Sequence, residues 1–439
     1  MEEARKCAEG LLHFIEECPS KYHVIDRLVK DYEKQGFLCL EENADWDLKW
    51  GRNYVVTRNG AALIAFRLPK KKEKVKGFHM AAAHCDSPTF QVKEKPERNA
   101  ERYVVLNTER YGGMIYSTWM DRPLSLAGRV AVKDEKTGEI TAKLVDVDRD
   151  LLVIPNLAIH MNRELNKGME YNPQVDLQPL FCCAVGGKGD EGSKRDDQTR
   201  LSSLIAESIG REPQDILGQD LFLYVRDHGR FLGAREEMIL SPRLDDLQCV
   251  YALSQAHAQV KTGDYITVCA VFDNEEVGSG SVQGADSTFL EDVLLRMGEA
   301  LQIPLGTQRA WISSGLMISA DNAHAVHPNH PEKADPTNRP YLNGGIVIKF
   351  NSSQKYTTDG MTAARFREIC EKAGVPCQTY VNRSDVAGGS TLGNISTAHV
   401  SIPSVDIGLP QLAMHSAVET GGTMDTWYAV LAMREFFAR

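Results

Sequence analysis

The sequence predicts an α/β fold in which a mixed, largely parallel central sheet is flanked by helices and a β-rich domain is inserted. The central sheet is indicated by residues 266–272, ITVCAVF, because a bounded apolar run rich in β-branched residues is typical of a parallel strand buried on both faces. The insert is indicated by residues 90–235, where short alternating segments separated by turn residues are typical of antiparallel strands. We therefore expect one domain formed by residues 1–89 and 236–439 and a second formed by residues 90–235.

The first of these domains is expected to begin with two amphipathic helices, because apolar residues recur at helical spacing between Ala4 and Ile15 and again between Val24 and Tyr32. A hairpin signal follows at Asn59, where an Asn-Gly pair separates two strand-like segments. The remaining elements are predicted, in chain order, as a strand at 77–83, a helix that begins at Asp245, the strand at 266–272, a helix at 289–300 and strands at 315–319 and 400–407.

Composition and charge narrow the class of protein. The chain has 50 basic and 60 acidic residues, and the formal net charge of -10 argues against a nucleic-acid partner or an anionic membrane surface. No apolar segment approaches the ~20 residues of a membrane span, and the N-terminus lacks the pattern of a signal peptide, so we expect a cytoplasmic protein with no membrane partner. The ten cysteines include no CxxC pair, and several lie in apolar runs, which predicts free buried thiols.

Polar residues gather where two of the predicted strands end. Asp273, Glu275 and Glu276 come directly after the strand at 266–272, and His84 follows the strand at 77–83. Open α/β sheets form their sites at the carboxyl ends of the strands, and adjacent Glu275 and Glu276 can divide the tasks of metal binding and proton transfer. The alternative interpretation is a solvated acidic loop, because most acidic pairs in loops are exposed.

Five polar residues at strand ends or in loops form a candidate metal-binding set: His84, Asp245, Glu276, Asp321 and His415. Imidazole and carboxylate ligands suit zinc, manganese or cobalt, and five such ligands are enough for two divalent ions if one carboxylate bridges them. A two-metal site can activate a water molecule and polarise a carbonyl group. Each residue taken singly is also explained as a core histidine, a helix cap or a turn residue, so the prediction depends on the five together.

Longer specific segments are spread along nearly the whole chain. They are CPSKYHV at 18–24, HCDSP at 84–88, YGGMIYSTWMDRPLSLAGRV at 111–130, IPNLAIHMNR at 154–163, SPRLDDL at 241–247, FDNEEVGS at 272–279, SADNAHAVHPN at 319–329 and MHSAVET at 414–420. These segments resemble the aspartyl aminopeptidase family, also called the aminopeptidase I family, of dinuclear zinc exopeptidases. The resemblance implies an α/β fold of the zinc exopeptidase type, a metallopeptidase catalytic domain at 1–89 and 236–439, and an inserted domain used in assembly.

The resemblance also implies how the candidate ligands are divided. His84 and Asp321 are expected to hold one divalent ion, and Glu276 and His415 the other. Asp245 is expected to bridge the two ions, which are zinc in the family, with manganese or cobalt as alternatives.

Two further residues near these ligands acquire roles from the resemblance. Asp86 is expected to orient His84, since a carboxylate that fixes an imidazole tautomer is the usual support for a zinc ligand. Glu275 is expected to be the general base. The implied enzyme is a metal-dependent aminopeptidase that hydrolyses the N-terminal residue of peptides, with a preference for Asp or Glu left open.

The resemblance implies two substrate contacts as well. It places Lys349 near the substrate, where the ammonium group could pair with an acidic side chain; the alternative is a surface lysine at a strand end. It places His160 of the insert beside the site of a neighbouring subunit, in a homo-oligomer of twelve; the alternative is a structural histidine. The loop at 385–391 and Cys85 depart from the family pattern, and the loop leaves the substrate preference open.

Other functions are compatible with the same residues. An N-acyl amino acid amidohydrolase or a carboxypeptidase of the same superfamily could share the five ligands and the base. A non-catalytic relative could serve as a scaffold, although the presence of every ligand and of the base argues against it.

Overall fold

The structure is a computed structural model that describes residues 2–134, 137–183, 200–261, 263–389 and 391–439. Its α-helices are, in chain order, α1 (Glu2–Glu17), α2 (Lys21–Lys34), α3 (Leu201–Ile209), α4 (Leu244–Gln259), α5 (Phe289–Ala300), α6 (Leu305–Ser313), α7 (Gly360–Ala373), α8 (Leu392–Ser396) and α9 (Asp425–Ala438). Its strands are β1 (Leu38–Leu40), β2 (Asn53–Arg58), β3 (Ala62–Arg67), β4 (Gly77–His84), β5 (Thr89–Ala100), β6 (Tyr103–Tyr111), β7 (Leu124–Lys133), β8 (Ile140–Asp146), β9 (Leu180–Cys183), β10 (Ile216–Val225), β11 (Arg230–Leu232), β12 (Met238–Ser241), β13 (Tyr265–Phe272), β14 (Leu316–Ala320), β15 (Ala323–His324), β16 (Ile346–Phe350), β17 (Cys377–Val381), β18 (Ser404–Gly408), β19 (Pro410–Leu412) and β20 (Glu419–Gly422).

The chain divides into two compact units. Unit 1 comprises the residues up to Ser87 together with Gly229–Met414 and Glu419–Arg439. Unit 2 comprises Pro88–His228 and the short segment His415–Val418. The domain boundaries expected at residues 90 and 235 stay a prediction.

Unit 1 contains the central sheet. Its strands lie in the order β1-β2-β3-β13-β4-β14-β18-β16-β17 among the described residues. The neighbours β13, β4, β14 and β18 are parallel, as are β1 with β2 and β16 with β17, whereas β2, β3 and β13 are joined by antiparallel pairs and so are β18 and β16. The predicted fold class, a mixed and largely parallel sheet flanked by helices, is confirmed.

Successive strand residues point to opposite faces of the sheet, so this sheet presents apolar side chains on both faces. Helices cover both faces. Ala81 and Cys269 belong to an apolar core that also includes residues of α1, α2, α4, α7 and α9. Their chain neighbours Met80 and Val268 belong to a second core, which includes residues of α5. Burial of β4 and β13 on both faces explains why both strands are apolar runs in the sequence.

The register of the central strands places polar residues at one edge. Phe272, the last residue of β13, pairs with His84, the last residue of β4, and Ser319 of β14 pairs with Ala82. The carboxyl ends of β4, β13 and β14 therefore lie side by side. The loops after these strands carry Asp86, Glu275, Glu276 and Asp321, beside His84 at the end of β4.

Unit 1 also contains a smaller sheet in the order β11-β12-β20-β19-β15. Its strand β20 begins with Glu419, whose carboxylate accepts the backbone N–H of Asp245 at the start of α4. The two predicted N-terminal helices are confirmed, and the residues that they bury include Leu11 and Ile15 of α1 and Ile25 and Leu28 of α2.

Unit 2 is an antiparallel β structure. Its sheet has the order β8-β7-β10-β5-β6-β9, and each neighbouring pair is antiparallel. Its own apolar core includes Phe90, Trp119 and Leu126. The predicted β-rich character of this segment is confirmed.

The structure also describes the state of the cysteines and the character of the helices. Each of the ten cysteines is a free thiol, and half of them are buried. Among the residues that the structure describes, no helix has the length and apolar character needed to cross a membrane.

Candidate metal centre

His84 ends β4 and is buried in unit 1. Its Nδ1 lies 3.0 Å from the backbone carbonyl oxygen of Asp86 and 3.5 Å from Oδ1 of the same residue. Because both partners are acceptors, Nδ1 carries the proton and donates it, which leaves the Nε2 lone pair for a metal. Nε2 lies 3.7 Å from Asp245 Oδ1 and 3.8 Å from Asp321 Oδ1.

Asp245 lies at the start of α4, where its own φ and ψ are not helical, so the regular helix begins after Asp246 and not at Asp245 as predicted. Its backbone N–H donates to Glu419 Oε2 at 3.0 Å. Its carbonyl oxygen accepts a hydrogen bond from Ser87 Oγ at 2.9 Å. These bonds anchor the buried backbone on both sides of the side chain.

Asp321 follows β14 and is paired with a buried lysine. Lys349 of β16 is 3% exposed, and its Nζ lies 3.3 Å from Asp321 Oδ2. Burial favours the neutral carboxyl group, yet Lys349 and His84 hold the pKa of Asp321 below its ordinary value. Burial likewise opposes the charge on Lys349, and Asp321 raises the pKa of that ammonium group above its ordinary value. The pair is therefore ionic, and Asp321 is a carboxylate able to bind a cation.

Glu275 and Glu276 open a short 3-10 turn after β13. The backbone N–H of Glu275 donates to Asp86 Oδ1 at 3.1 Å, and that of Glu276 donates to Asp86 Oδ2 at 3.2 Å. Asp86 therefore fixes this turn as well as contacting His84. Burial, opposed by His84, raises the pKa of Glu275 to about 8.

The side chains of these loops converge on one small volume. His84, Asp245 and Asp321 each offer a ligand atom, and these atoms lie within 4.8 Å of one another, as do those of His84, Glu275 and Glu276. Burial disfavours a charged imidazole, yet the carboxylates of Asp321 and Asp86 raise the pKa of His84 well above its ordinary value. Imidazole nitrogen and carboxylate oxygen are ligands that suit zinc and similar divalent ions. The negative charge of the clustered carboxylates also favours a cation.

Two of the predicted site residues belong to unit 2. His415 Nδ1 donates to the carbonyl oxygen of Gly113 at 2.7 Å, and the His415 carbonyl oxygen accepts the N–H of Ile115 at 2.9 Å. This tautomer places the lone pair of His415 on Nε2. His160 lies exposed in a turn. The roles expected for His415 and His160 stay predictions, whereas His84, Asp86, Asp245, Glu275, Glu276, Asp321 and Lys349 are brought together in unit 1.

Sequence reasoning missed two supporting contacts. Glu419 is part of the segment MHSAVET, yet nothing in that segment predicts the hydrogen bond that it accepts from Asp245. The pairing of Lys349 with Asp321 has no local signal, because it depends on the order of strands in the sheet.

A family model described as aminopeptidase I zinc metalloprotease (M18) matches residues 14–437 of the chain. The chain belongs to the M18 aminopeptidase family. The predicted family and the predicted enzyme class, a metallo-aminopeptidase that hydrolyses peptide bonds, are therefore confirmed.

Full-length relatives of this M18 chain agree with the assignment. The protein named probable M18 family aminopeptidase 2 of Clostridium acetobutylicum is 44% identical over 435 residues, which cover 98% of each chain. Aspartyl aminopeptidase 1 of Schizosaccharomyces pombe is 37% identical over 455 residues, which cover 99% of this chain and 95% of the yeast protein. Among solved structures, the S. cerevisiae mApe1 dodecamer has a TM-score of 0.85 and 26% identity, with 99% of this chain and 96% of the mApe1 chain covered.

Proposed function

We propose that this M18 aminopeptidase removes the N-terminal residue of peptides with a two-metal site and with Glu275 as the general base. The observation that carries the proposal is the convergence of His84, Asp245 and Asp321 beside Glu275 and Glu276, near the carboxyl ends of β4, β13 and β14. His84 and Asp321 would hold one ion, Glu276 with His415 the other, and Asp245 would bridge both. The ions are zinc by family, and manganese or cobalt would suit the same donors.

In the proposed reaction, the metal ions activate the substrate and the water, and Glu275 transfers the proton. When bound, a pair of divalent ions polarises the scissile carbonyl group and acidifies a water molecule. Glu275 accepts the proton of that water and then delivers it to the leaving amine. Glu275 lies beside the candidate ligands His84 and Glu276, which is where a carboxylate that accepts and returns this proton is needed.

Asp86 serves this chemistry without contacting the substrate. Its carboxylate accepts the N–H groups of Glu275 and Glu276, and its backbone carbonyl oxygen lies 3.0 Å from His84 Nδ1. One residue thus orients the base and two proposed ligands, which is the support that ligand and base geometry require.

We further propose a preference for acidic N-terminal residues, in which Lys349 attracts the substrate side chain. An ammonium group has three donors, so Lys349 can bind Asp321 and a second carboxylate at once. The aspartyl aminopeptidase of S. pombe, 37% identical to this chain, supports the same preference.

We also propose that the chain assembles into a dodecamer in which His160 contributes to the site of a neighbouring subunit. The dodecameric mApe1 of S. cerevisiae supports the assembly. The exposure of His160 on unit 2 is compatible with a contact to another subunit.

The function is tested by assaying aminoacyl p-nitroanilides and their N-blocked counterparts with added zinc, manganese or cobalt. We expect cleavage of the compounds with a free α-amine only, and loss of activity after treatment with a chelator. Cleavage of only the N-blocked compounds would identify an amidohydrolase instead, and no turnover with any of the three metals would contradict the proposal.

A further inference from the structure

A buried ion pair includes Asp273, which lies two residues before Glu275 in the chain. Lys21 is the first residue of α2, and its Nζ lies 2.9 Å from Oδ2 of Asp273, with the two side chains 7% and 0% exposed. Asp273 is the residue directly after β13. Buried charges are stable only when they are paired and hydrogen-bonded, so each of these groups requires the other at this position.

Asp273 also determines the path of the chain after β13. Its Oδ1 accepts the backbone N–H of Asn274 at 2.6 Å, and its Oδ2 accepts Nε2 of Gln283 at 3.1 Å. The same Gln283 nitrogen donates to Asn274 Oδ1 at 2.9 Å. Asn274 has a φ of 61°, in the left-handed region, so hydrogen bonds to Asp273 and Gln283 hold a residue in a conformation that few side chains favour.

Asp86 holds the next two residues of the turn, because it accepts the N–H groups of Glu275 and Glu276. Two buried carboxylates, Asp273 and Asp86, therefore hold successive residues of one turn, and their charges repel each other. Lys21 offsets this repulsion, because its ammonium group pairs with Asp273.

We propose that Lys21 is a positioning residue for the peptidase reaction: by pairing with Asp273, it holds residues 274–277 so that Glu275 is aimed at the reacting water. The inference rests on the proposed function, in which Glu275 is the general base. In this role Lys21 acts through Asp273 and the turn that follows it. Misplacing a catalytic group by 1 Å can lower the rate by about 10²-fold, so a restraint of this kind affects kcat.

The inference is tested with Lys21→Met, Asp273→Asn and the double variant, each assayed with saturating zinc at a temperature well below its unfolding transition. We expect Lys21→Met to lower kcat by roughly 10-fold to 10²-fold while KM changes by less than about 2-fold, because the base is displaced and the binding surface is kept. The double variant is expected to be no slower than the slower single variant, since Lys21 acts through Asp273. Because Glu276 lies in the same turn, bound metal is measured in all three variants; with saturating zinc we expect the wild-type level, and a loss of metal that accounts for the loss of kcat would overturn the positioning role.

Lys30→Met is the matched control, because Lys30 is in the same helix and pairs with Asp26 on the surface at 2.6 Å. It is expected to retain wild-type kcat. If Lys21→Met does not fold, the double variant is compared with Asp273→Asn, and equal kcat values below wild type are the expected result. Wild-type kcat in folded Lys21→Met or in the double variant, or losses that multiply between the single variants, would overturn the inference.

Glu275→Gln separates this inference from the proposed function. An inactive Glu275→Gln enzyme together with a fully active Lys21→Met enzyme would contradict only the positioning role. A fully active Glu275→Gln enzyme would contradict the proposed function, whatever the Lys21 variants show.

Discussion

The environment of Lys349 differs from that of a surface lysine. The side chain is buried, and it faces Asp321, a proposed metal ligand. A buried lysine beside several carboxylates lowers the repulsion among them, and its remaining donors can serve the substrate. Support of Asp321 would affect the hydrolysis of every substrate, whereas attraction of an acidic side chain would affect only aspartyl and glutamyl substrates.

Lys349→Met separates these roles. If the ammonium group also pairs with the substrate, the variant is expected to lose about 10-fold to 10²-fold more kcat/KM with aspartyl and glutamyl p-nitroanilides than with the leucyl compound. Lys372→Met is the control, since Lys372 forms an exposed ion pair with Glu368. Equal losses for the three substrates would show that Lys349 supports Asp321 alone.

At the scale of elements, the site is a consequence of how strands are aligned. His84 and the turn at Glu275 could be located from the sequence, because buried parallel strands are apolar runs and the polar residues that follow them stand out. The pairing of β4 with β13 and β14 then brings these loops together. The division of ligands between two ions came from family resemblance and not from such patterns.

Other parts of the site could not be predicted from local sequence. Lys349 reaches Asp321 because β16 lies beside β18, which lies beside β14, and none of these neighbours is adjacent in the chain. Asp245 was expected in the first turn of a helix, yet its own backbone dihedral angles are not helical. Its N–H donates a hydrogen bond to the side chain of Glu419. In both cases a tertiary contact determines the local geometry.

At the scale of the whole molecule, the proposed assembly depends on residues of both units. His160 belongs to unit 2, whereas Glu275 belongs to unit 1. A histidine from a neighbouring subunit could donate a hydrogen bond to the developing oxyanion, an interaction worth a few kcal/mol when the donor is fixed in place. Such an enzyme would be active only as an assembly.

Subunit mixing tests this requirement. His160→Ala and Glu275→Gln, each expected to be inactive by itself, are dissociated together and reassembled, and activity is compared with that of each variant treated alone. Partial recovery is expected, because some sites then combine an intact His160 with an intact Glu275 from different subunits. A mixture that reassembles normally and stays as inactive as its parents would contradict the shared site.

Metal content and kcat are measured for Glu275→Gln beside Glu276→Gln, because these adjacent residues are proposed to be the general base and a metal ligand. We expect Glu275→Gln to keep two bound ions per chain and to lose roughly 10²-fold to 10⁴-fold in kcat, because general-base catalysis contributes about that much and Glu275 is not a proposed ligand. Glu276→Gln is expected to lose bound metal. Loss of an ion from Glu275→Gln with full occupancy in Glu276→Gln would show that the two roles are reversed, and wild-type kcat in Glu275→Gln would contradict its role as the base.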